Sequence, residues 1–269
     1  MNSLRLNMIK SSQIILKTKK WDLNILWKNL NKIGAYILTC YIFLKIILNA
    51  NENSDYGLIL KEVSRLLNGL GVTLTISFIT FFISLISGFI FYILMKSKDI
   101  FLNTFIKIIK EIILGTPLIV MIFLVVYVLG MKINITGKLL LGILALSFYM
   151  TPYMANSYET ASAVIGKDQK IIMTLYNFDF YTRYRYIIIP QMIKPLIPSL
   201  INNLSSIIKG TALLKIVSVK EISYVITVIS NRNYAAIEGY MIMWVMYLSI
   251  TIPLSLLANK IGRRYNFEN

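Results

Sequence analysis

The 269-residue chain has no histidine, a single cysteine and few charged residues, and each shortage excludes a class of chemistry. Without histidine there is no imidazole to act as a general base or as a metal ligand, which excludes histidine-dependent hydrolases and most zinc sites. The single cysteine, Cys40, cannot form an internal disulfide or a thiolate cluster, and we interpret it as an inert thiol in an apolar run. We therefore expect no catalytic residue and no metal site.

Charged residues make up 15% of the chain and hydrophobic residues 57%, a balance that argues against a soluble fold. The excess apolar side chains must be buried, and a lipid bilayer is the simplest place for them. Lysine and arginine number 28 against 12 acidic residues, which gives a net charge of +16. Nucleic-acid-binding proteins gather such charge on one face of a polar domain. Here it lies between long apolar runs, so we predict no nucleic-acid partner.

A helix that crosses the hydrocarbon layer needs about 20 mainly apolar residues, and the sequence has several such runs. Four runs contain no charged residue, namely Leu66–Met95, Ile112–Met131, Leu139–Tyr158 and Gly239–Asn259. A fifth run, Gly34–Leu48, is interrupted by Lys45, and a sixth, bent run lies between Ile187 and Val219. The sequence therefore predicts an all-α, polytopic membrane protein with about six transmembrane helices.

The positions of lysine and arginine predict the orientation, because these residues are retained on the cytoplasmic side of the membrane. Most of them fall in inner segments if the N-terminus is cytoplasmic, so we predict a cell-membrane protein with both termini in the cytoplasm. We divide the chain into a basic segment 1–33, an additional helix and outer loop 34–56, a transmembrane domain 57–264 and a tail 265–269. The stretch 21–32 mixes apolar and basic residues, so it either lies along anionic membrane lipid or forms a solvated tail.

The inner loop at about 159–186 is longer than a simple connection and has the pattern of a short helix. Asp168 is a candidate N-cap, and the apolar residues Ile171, Ile172 and Leu175 follow at helical spacing. Asn177 then offers a residue that tolerates the left-handed conformation of a helix end. An irregular or strand-like stretch 178–181 follows, and a membrane helix begins near Pro190. The apolar face of the short helix must be covered by lipid headgroups, by other loops of the chain or by a partner.

Three short motifs lie in one register between Asn68 and Arg264, namely Glu111-Ile112-Ile113-Leu114-Gly115-Thr116-Pro117-Leu118, Lys209-Gly210-Thr211-Ala212-Leu213 and Val219-Lys220-Glu221, and Tyr153, Ala155 and Asn202 share that register. They resemble Glu-x-x-Arg-Gly-Thr-Pro-Leu, Lys-Asp-Thr-Ser-Leu and Val-Pro-Glu of the membrane permease subunits of ATP-driven, binding-protein-dependent importers. The resemblance is to the polar amino acid group of these ABC importers. It implies the fold of a type I ABC importer permease, a bundle of five or six helices.

The loop signature of that family is largely lost from this chain. Laid on the sequence without a gap, the Glu-Ala-Ala of the family falls on Ile171, Ile172 and Met173, its glycine on Asn177, and its Pro-Gln on Pro190 and Gln191. In the family the ATPase subunit grips this loop helix. The resemblance therefore implies contact with an ATP-binding subunit through the candidates Lys167, Asp168, Ile171, Ile172, Met173, Leu175, Asn177 and Phe178.

The other motif residues are candidates either for the translocation path or for helix packing, and the sequence leaves both interpretations open. They are Glu111, Gly115, Thr116, Pro117, Pro190, Gln191, Asn202, Lys209, Thr211 and Glu221. Gly115 allows close helix approach, and Pro117 frees a backbone carbonyl for a hinge or a polar spot. Asn202, Lys209 and Thr211, together with Ser205 and Ser206, give the bent run between Ile187 and Val219 a polar stripe, and such groups face a cavity or another helix.

The sequence lacks a Gly-x-x-x-x-Gly-Lys-Ser/Thr phosphate loop, so we expect no cofactor on this chain, with ATP and Mg bound by a partner subunit. The resemblance implies a permease subunit for a polar amino acid or similar small solute. Its partners would be a second copy or a sister permease, two ATPases and an extracytoplasmic solute-binding protein.

An ion-coupled secondary transporter is the alternative interpretation. Such proteins show inverted repeats and intramembrane acidic residues, whereas the 12 acidic residues here lie in loops or near the ends of spans. An intramembrane enzyme would need histidine or paired aspartates, which the sequence does not supply.

Overall fold

A computed structural model of the chain describes residues 30–35, 37–39, 41, 42, 45 and 56–266, with side chains as far as residue 263. The chain divides into two units, Met1–Ser54 and Asp55–Asn269. The described residues of the first unit are helical. The rest of the predicted span Gly34–Leu48, Cys40 and most of the basic N-terminal segment lie outside the described residues.

The second unit is built from helices joined by short connections. After a single turn at Gly57–Leu60, the main helices in chain order are α1 Val63–Leu94, α2 Ile100–Gly115, α3 Leu118–Phe123, α4 Lys138–Ala161, α5 Lys167–Leu175, α6 Ile189–Thr211, α7 Ile222–Arg232 and α8 Ala236–Asn266. Turns of π-helix extend α3 over Leu124–Leu129 and lead into α6 over Arg183–Ile188. No β-strand occurs between residues 56 and 266, so the all-α prediction is confirmed.

Four stretches of the described chain are long and apolar enough to cross a membrane, namely Val63–Leu94, Lys138–Val164, Phe180–Val217 and Ala236–Arg263. A fifth candidate is the pair Ile100–Gly115 and Leu118–Lys132, which meet at 108°. The predicted span Ile112–Met131 is therefore not one continuous helix, because the chain bends at Thr116 and the greater part of the run lies after the bend. Thr116 between the two helices is extended (φ −92°, ψ 126°), since the proline that follows it disfavours helical backbone.

The helical path into α6 begins about ten residues before the predicted start at Pro190. Asp179 caps a turn at Phe180–Thr182, where its carboxylate accepts from the Thr182 amide at 3.3 Å, and the π-helical turn continues into α6. The predicted irregular stretch 178–181 is therefore wrong in its second half, because this cap was not recognised. Pro190 lies in the first turn of α6, where a proline is tolerated.

The core of the second unit depends on close contact between α1 and α4. Small residues are buried along one face of α1, namely Gly69, Thr73, Ser77, Thr80, Ser84 and Gly88. A Cβ atom at Gly88 would collide with Met154 of α4, so only glycine fits there. Another face of α1 exposes Phe78, Phe82, Ile86 and Ile90. Small residues between helices and large apolar residues facing outward are typical of a helix packed within a bilayer.

Different helices meet at the two ends of the second unit. At one end, which we call the loop end, α5 and the start of α6 meet the end of α1 around Lys96, Met173 and Arg183. At the other end, the start of α1 meets α7 around Arg65 and Lys220. The candidate residues are divided between the loop end, the α2–α3 bend, α6 and, for Glu221, the start of α7.

Candidate functional site

The predicted loop helix is present as α5, and its C-terminal end is fixed by backbone hydrogen bonds. Asn177 has a φ of 49°, its amide donates to the Thr174 carbonyl at 3.0 Å, and the Phe178 amide donates to the Met173 carbonyl at 3.1 Å. This Schellman arrangement confirms the prediction for Asn177. The prediction that Asp168 caps the helix is wrong, because the N-cap is Gly166, two residues earlier, and Asp168 lies in the first turn of α5.

Opposite faces of α5 have opposite roles. Met173 is 4% exposed and borders a small cleft at the loop end, so it anchors the helix on the bundle. Ile171, Ile172 and Leu175 face away and are 56%, 48% and 77% exposed. Of the apolar contact candidates on α5, Met173 is therefore the one that offers no surface to a partner, and the other three form an uncovered apolar face.

The remaining contact candidates lie at the two ends of α5. Lys167, Asp168 and Asn177 are exposed, and Phe178 is half-buried with its ring stacked on that of Tyr176. The Nε of Arg183 donates to the Phe178 carbonyl at 2.6 Å. This hydrogen bond ties the end of α5 to the helical path that leads into α6.

The second group of candidates lies at the bend between α2 and α3. Glu111, Gly115 and Pro117 are exposed, and Thr116 is half-buried, with its hydroxyl donating to the Ile112 carbonyl at 2.7 Å. No described residue lies within 4 Å of the position that a Cβ would take at Gly115, so the close helix approach predicted for this glycine is not found among the described residues.

The carbonyl that Pro117 would free also finds a partner. The Ile113 carbonyl, four residues before the proline, accepts from the Thr116 amide at 3.1 Å. The bend is instead placed against α6, because Leu118 lies 3.3 Å from the position of a Cβ on Gly210. The structure thus brings together two motifs that are about ninety residues apart in the sequence.

The predicted polar stripe of α6 divides between two faces of the helix. Asn202, Ser206 and Lys209 are exposed, and the Ser206 hydroxyl donates to the Asn202 carbonyl at 3.1 Å. Ser205 and Thr211 are buried, and the Thr211 hydroxyl donates to the Ile208 carbonyl at 2.7 Å. An exposed polar stripe within an apolar span requires water or protein opposite it, because lipid tails offer no hydrogen bonds. Nearer the start of α6, Pro190 is exposed and Gln191 half-buried.

Glu221 is completely buried and connects three helices. Its carboxylate accepts from the amides of Ser223 at 2.9 Å and Tyr224 at 2.8 Å, which caps α7. It also accepts from the Tyr247 hydroxyl of α8 at 3.1 Å and the Thr73 hydroxyl of α1 at 3.4 Å. Burial raises the pKa of the carboxyl, an effect that the four hydrogen bonds oppose. In the described structure Glu221 and Thr211 are buried and pack between helices.

A cluster beneath α5 was missed by the sequence analysis. The Lys96 ammonium donates to the Tyr92 hydroxyl at 2.9 Å and the Ser162 hydroxyl at 3.0 Å, and it lies 4.2 Å from the centre of the Tyr92 ring. One local signal could have found it, because Lys96 follows directly after a charge-free run. Its contact with Ser162 joins residues 66 apart, which no local pattern reveals.

The candidate site consists of two surfaces of the described structure. In the part of the chain that the structure describes, no group of three or more histidine, cysteine and acidic side chains could hold a metal ion. The two surfaces that remain are the apolar face of α5 and the polar stripe of α6 beside the bend. The first is suited to docking a protein, and the second is suited to a polar solute or a facing helix.

Comparisons with known proteins agree with this arrangement. Residues 93–266 match the family model described as binding-protein-dependent transport system inner membrane component. A probable amino-acid ABC transporter permease protein of Sinorhizobium fredii is 26% identical over 206 residues, which cover 77% of this chain and 89% of the relative. A protein of the same description from Bacillus subtilis is 23% identical over 211 residues, covering 77% and 92%.

Two solved structures share the fold. The crystal structure of an amino acid ABC transporter with histidines contains a chain that matches with a TM-score of 0.71 at 23% identity, covering 79% of this chain and 99% of that one. A chain of the inward-facing MetNI methionine ABC transporter matches with a TM-score of 0.62 at 15% identity, covering 76% and 97%. At these identities the likeness shows the architecture of the second unit and nothing about solute.

Proposed function

The chain belongs to the family of binding-protein-dependent transport system inner membrane components, and from this premise we propose that it forms the translocation path of an ABC importer for a polar amino acid or similar small solute. The solute class is supported by the names of the relatives from Sinorhizobium fredii and Bacillus subtilis. Both are ABC transporter permeases, and nothing in the fold favours the ion-coupled alternative.

The observation that carries the proposal is the uncovered apolar face of α5. Ile171, Ile172 and Leu175 stand on a short helix outside the candidate spans, and covering them stabilises a complex by roughly 25 cal/mol for each Å² of apolar surface buried. We assign this face to the ATP-hydrolysing subunit. Lys167, Asp168 and Asn177 at the ends of α5 would form the polar rim of that contact.

Contacts at both the inner face and the end of α5 connect this helix to the rest of the bundle. Met173 holds the inner face of the helix, and the Arg183–Phe178 hydrogen bond connects its end to the start of α6. α6 in turn packs against α1, α4 and α8. Motion of the ATPase would therefore be carried to the helix that bears the polar stripe.

The polar stripe of α6 suits a solute that carries both charges. Asn202 and Ser206 offer an amide and a hydroxyl, and Lys209 offers an ammonium that attracts a carboxylate. A second permease subunit facing this stripe would complete the path, and a solute-binding protein on the other side of the membrane would supply selectivity. Glu111, Thr116 and Pro117 stand at the neighbouring bend and are further candidates.

We place the loop end and both termini in the cytoplasm. The basic residues at the loop end lie after α1, in α5 and in the π-helical turn before α6, namely Lys96, Lys98, Lys167, Lys170, Arg183 and Arg185. Lysine and arginine are retained on the cytoplasmic side, where the ATP-hydrolysing subunit is found. The family assignment makes the chain a multi-pass membrane protein.

The test is the substitution Ile172→Asp in tagged chain purified from its native membrane in a mild detergent. A carboxylate in the centre of the apolar contact stays solvated only if the partner leaves. We therefore expect the ATPase subunit, identified by its phosphate-binding loop, to be lost from the preparation together with solute-stimulated ATP hydrolysis.

Two control variants separate charge from position. Gln169→Asp adds the same charge to another exposed position of α5, and Ile172→Val keeps the apolar surface. Both should copurify with the ATPase as the unaltered chain does. Copurification and transport that survive Ile172→Asp would show that α5 does not bind the ATPase.

A further inference from the structure

Two neighbouring clefts at the loop end share the side chains of Lys96, Arg183 and Tyr184. The larger has a volume of about 530 Å³ and is also lined by Lys98. The smaller has a volume of about 210 Å³ and is also lined by Lys170. Four cationic side chains therefore border this pair of clefts, and no acidic side chain lines either of them.

In the described part of the chain, none of the four cations forms an ion pair with an acidic side chain. Asp99 and Asp179 are close in sequence and keep their negative charge, but their carboxylates accept from backbone amides at the starts of helices and line neither cleft. Like charges held together raise the energy of the site unless an anion enters it.

Neutral partners hold two of the cations in place. Lys96 donates to the hydroxyls of Tyr92 and Ser162, and Arg183 donates through Nε to the Phe178 carbonyl. These contacts orient the ammonium and the guanidinium without cancelling their charge. Oriented cationic donors of this kind suit a group with several acceptor oxygens, and a phosphate is the common biological example.

The position of the clefts relative to the candidate spans indicates which kind of phosphate binds there. The candidate span of α1 ends at Leu94, two residues before Lys96, and the span that contains α6 begins at Phe180. Phe180, Tyr181 and Tyr186 are exposed beside the clefts, as aromatic residues are at the boundary between membrane and water. Lipid headgroups lie at that boundary, and basic pockets between transmembrane helices bind them.

We propose that these clefts bind the phosphate of an anionic glycerophospholipid. Lys96 and Arg183 act as fixed donors, and Lys98 and Lys170 approach the headgroup from the two clefts. The smaller cleft borders the Met173 face of α5, whereas the isoleucine face points away from it. The larger cleft is also lined by Asn177 and Phe178, at the end of α5 where the ATPase contact is proposed, so lipid in that cleft would border the protein partner. The lipid site is argued from the cleft cations and does not depend on the proposed function.

The test compares two double variants in nanodiscs of equal parts phosphatidylglycerol and phosphatidylcholine. Lys98→Gln/Lys170→Gln removes two cleft cations that make no side-chain hydrogen bond in the described structure. Lys107→Gln/Lys260→Gln removes two exposed lysines outside the clefts and has the same net charge. Native mass spectrometry of the released protein counts the lipids that each variant retains.

We expect the unaltered chain and the Lys107→Gln/Lys260→Gln variant to retain phosphatidylglycerol in preference to phosphatidylcholine. The Lys98→Gln/Lys170→Gln variant should lose this preference, with an affinity roughly thirtyfold lower, from the contribution of about 1 kcal/mol by each lysine near anionic lipid. Equal retention by the two double variants would overturn the site.

A second measurement separates the lipid from free anions. Inorganic phosphate is added to the unaltered chain in phosphatidylcholine nanodiscs, and thermal unfolding is followed. We expect phosphatidylglycerol in the nanodisc to raise the unfolding temperature of the chain. Inorganic phosphate at the same concentration should leave the unfolding temperature unchanged. Stabilisation by phosphate alone, without a preference for phosphatidylglycerol, would overturn the lipid assignment.

Discussion

Two short helices, α5 and α7, are built from similar residues and have opposite environments. Both are too short to cross a membrane and both carry isoleucines, at helical spacing in α7 and as an adjacent pair in α5. In α7 the side chains of Ile222, Ile226 and Ile229 are at most 2% exposed, packed with residues of α1 and α8. In α5 the two isoleucines are about half exposed, and Met173 is the one buried residue of the helix.

The difference lies in whether the chain itself covers the apolar face of each helix. α7 satisfies its apolar face and its N-terminal amides within the chain, through Glu221 and the neighbouring helices. α5 is held by one buried methionine and has well-formed ends, yet its isoleucine face covers nothing in the described structure. An apolar face that the chain stabilises but does not cover is typical of a docking surface.

The strongest test of this contrast is Glu221→Ala. The substitution removes an N-cap and leaves the buried hydroxyls of Thr73 and Tyr247 without their acceptor, so we expect a loss of about 4 kcal/mol of stability. Thermal unfolding in detergent measures it. Glu111→Ala, which removes an exposed carboxylate, should leave the unfolding temperature unchanged. A similar loss from both variants would mean that Glu221 does not hold α7.

A paired truncation compares the isoleucines directly. Ile226→Ala leaves a cavity in the α7 contact and should cost about 3 kcal/mol, whereas Ile172→Ala on α5 should change the stability of the isolated chain by less than about 0.5 kcal/mol. The order reverses when binding of the ATPase subunit is measured, because Ile172 lies in the contact and Ile226 does not. Equal stability losses in the isolated chain would contradict the contrast.

The smallest expected effect comes from two glycines. A Cβ at Gly239 of α8 would collide with Ser230 of α7, so Gly239→Ala should cost about 1–2 kcal/mol through overpacking. Gly166 before α5 has nothing within 4 Å of its Cβ position, and Gly166→Ala should change stability by less than about 0.5 kcal/mol. Unfolding temperatures of the two variants, measured side by side, decide whether α7 is the more tightly packed helix.

The sequence predicted those features that depend on local composition. The charge-free runs located α1, α4 and α8, because apolar length alone decides whether a helix suits a bilayer. Asn177 was predicted to end α5 because few residues other than glycine tolerate its conformation, and its φ of 49° agrees. The charge-free run through Pro117 did not predict the bend between α2 and α3, because hydropathy reports burial in lipid and not the direction of the backbone.

Features that depend on distant residues were not predictable. Glu221 was a path candidate on motif position alone, and its contact with Thr73 joins residues 148 apart. The pattern of α5 has apolar residues on both faces, and hydropathy does not distinguish the buried Met173 from the exposed Ile172. Which face turns inward is decided by the residues at the loop end, among them Tyr92 and Ile188.

The most direct test of the central claim is the accessibility of residue 175 with and without the ATPase subunit. Cys40 is the single native cysteine, so Leu175→Cys in a Cys40→Ser background places one thiol at the most exposed position of the apolar face. A water-soluble maleimide should label it rapidly in the isolated chain and only slowly in the assembled transporter. Lys260→Cys, an exposed position outside α5, should react equally in both. Equal labelling of Leu175→Cys in the two preparations would contradict the assignment of α5 as the docking surface.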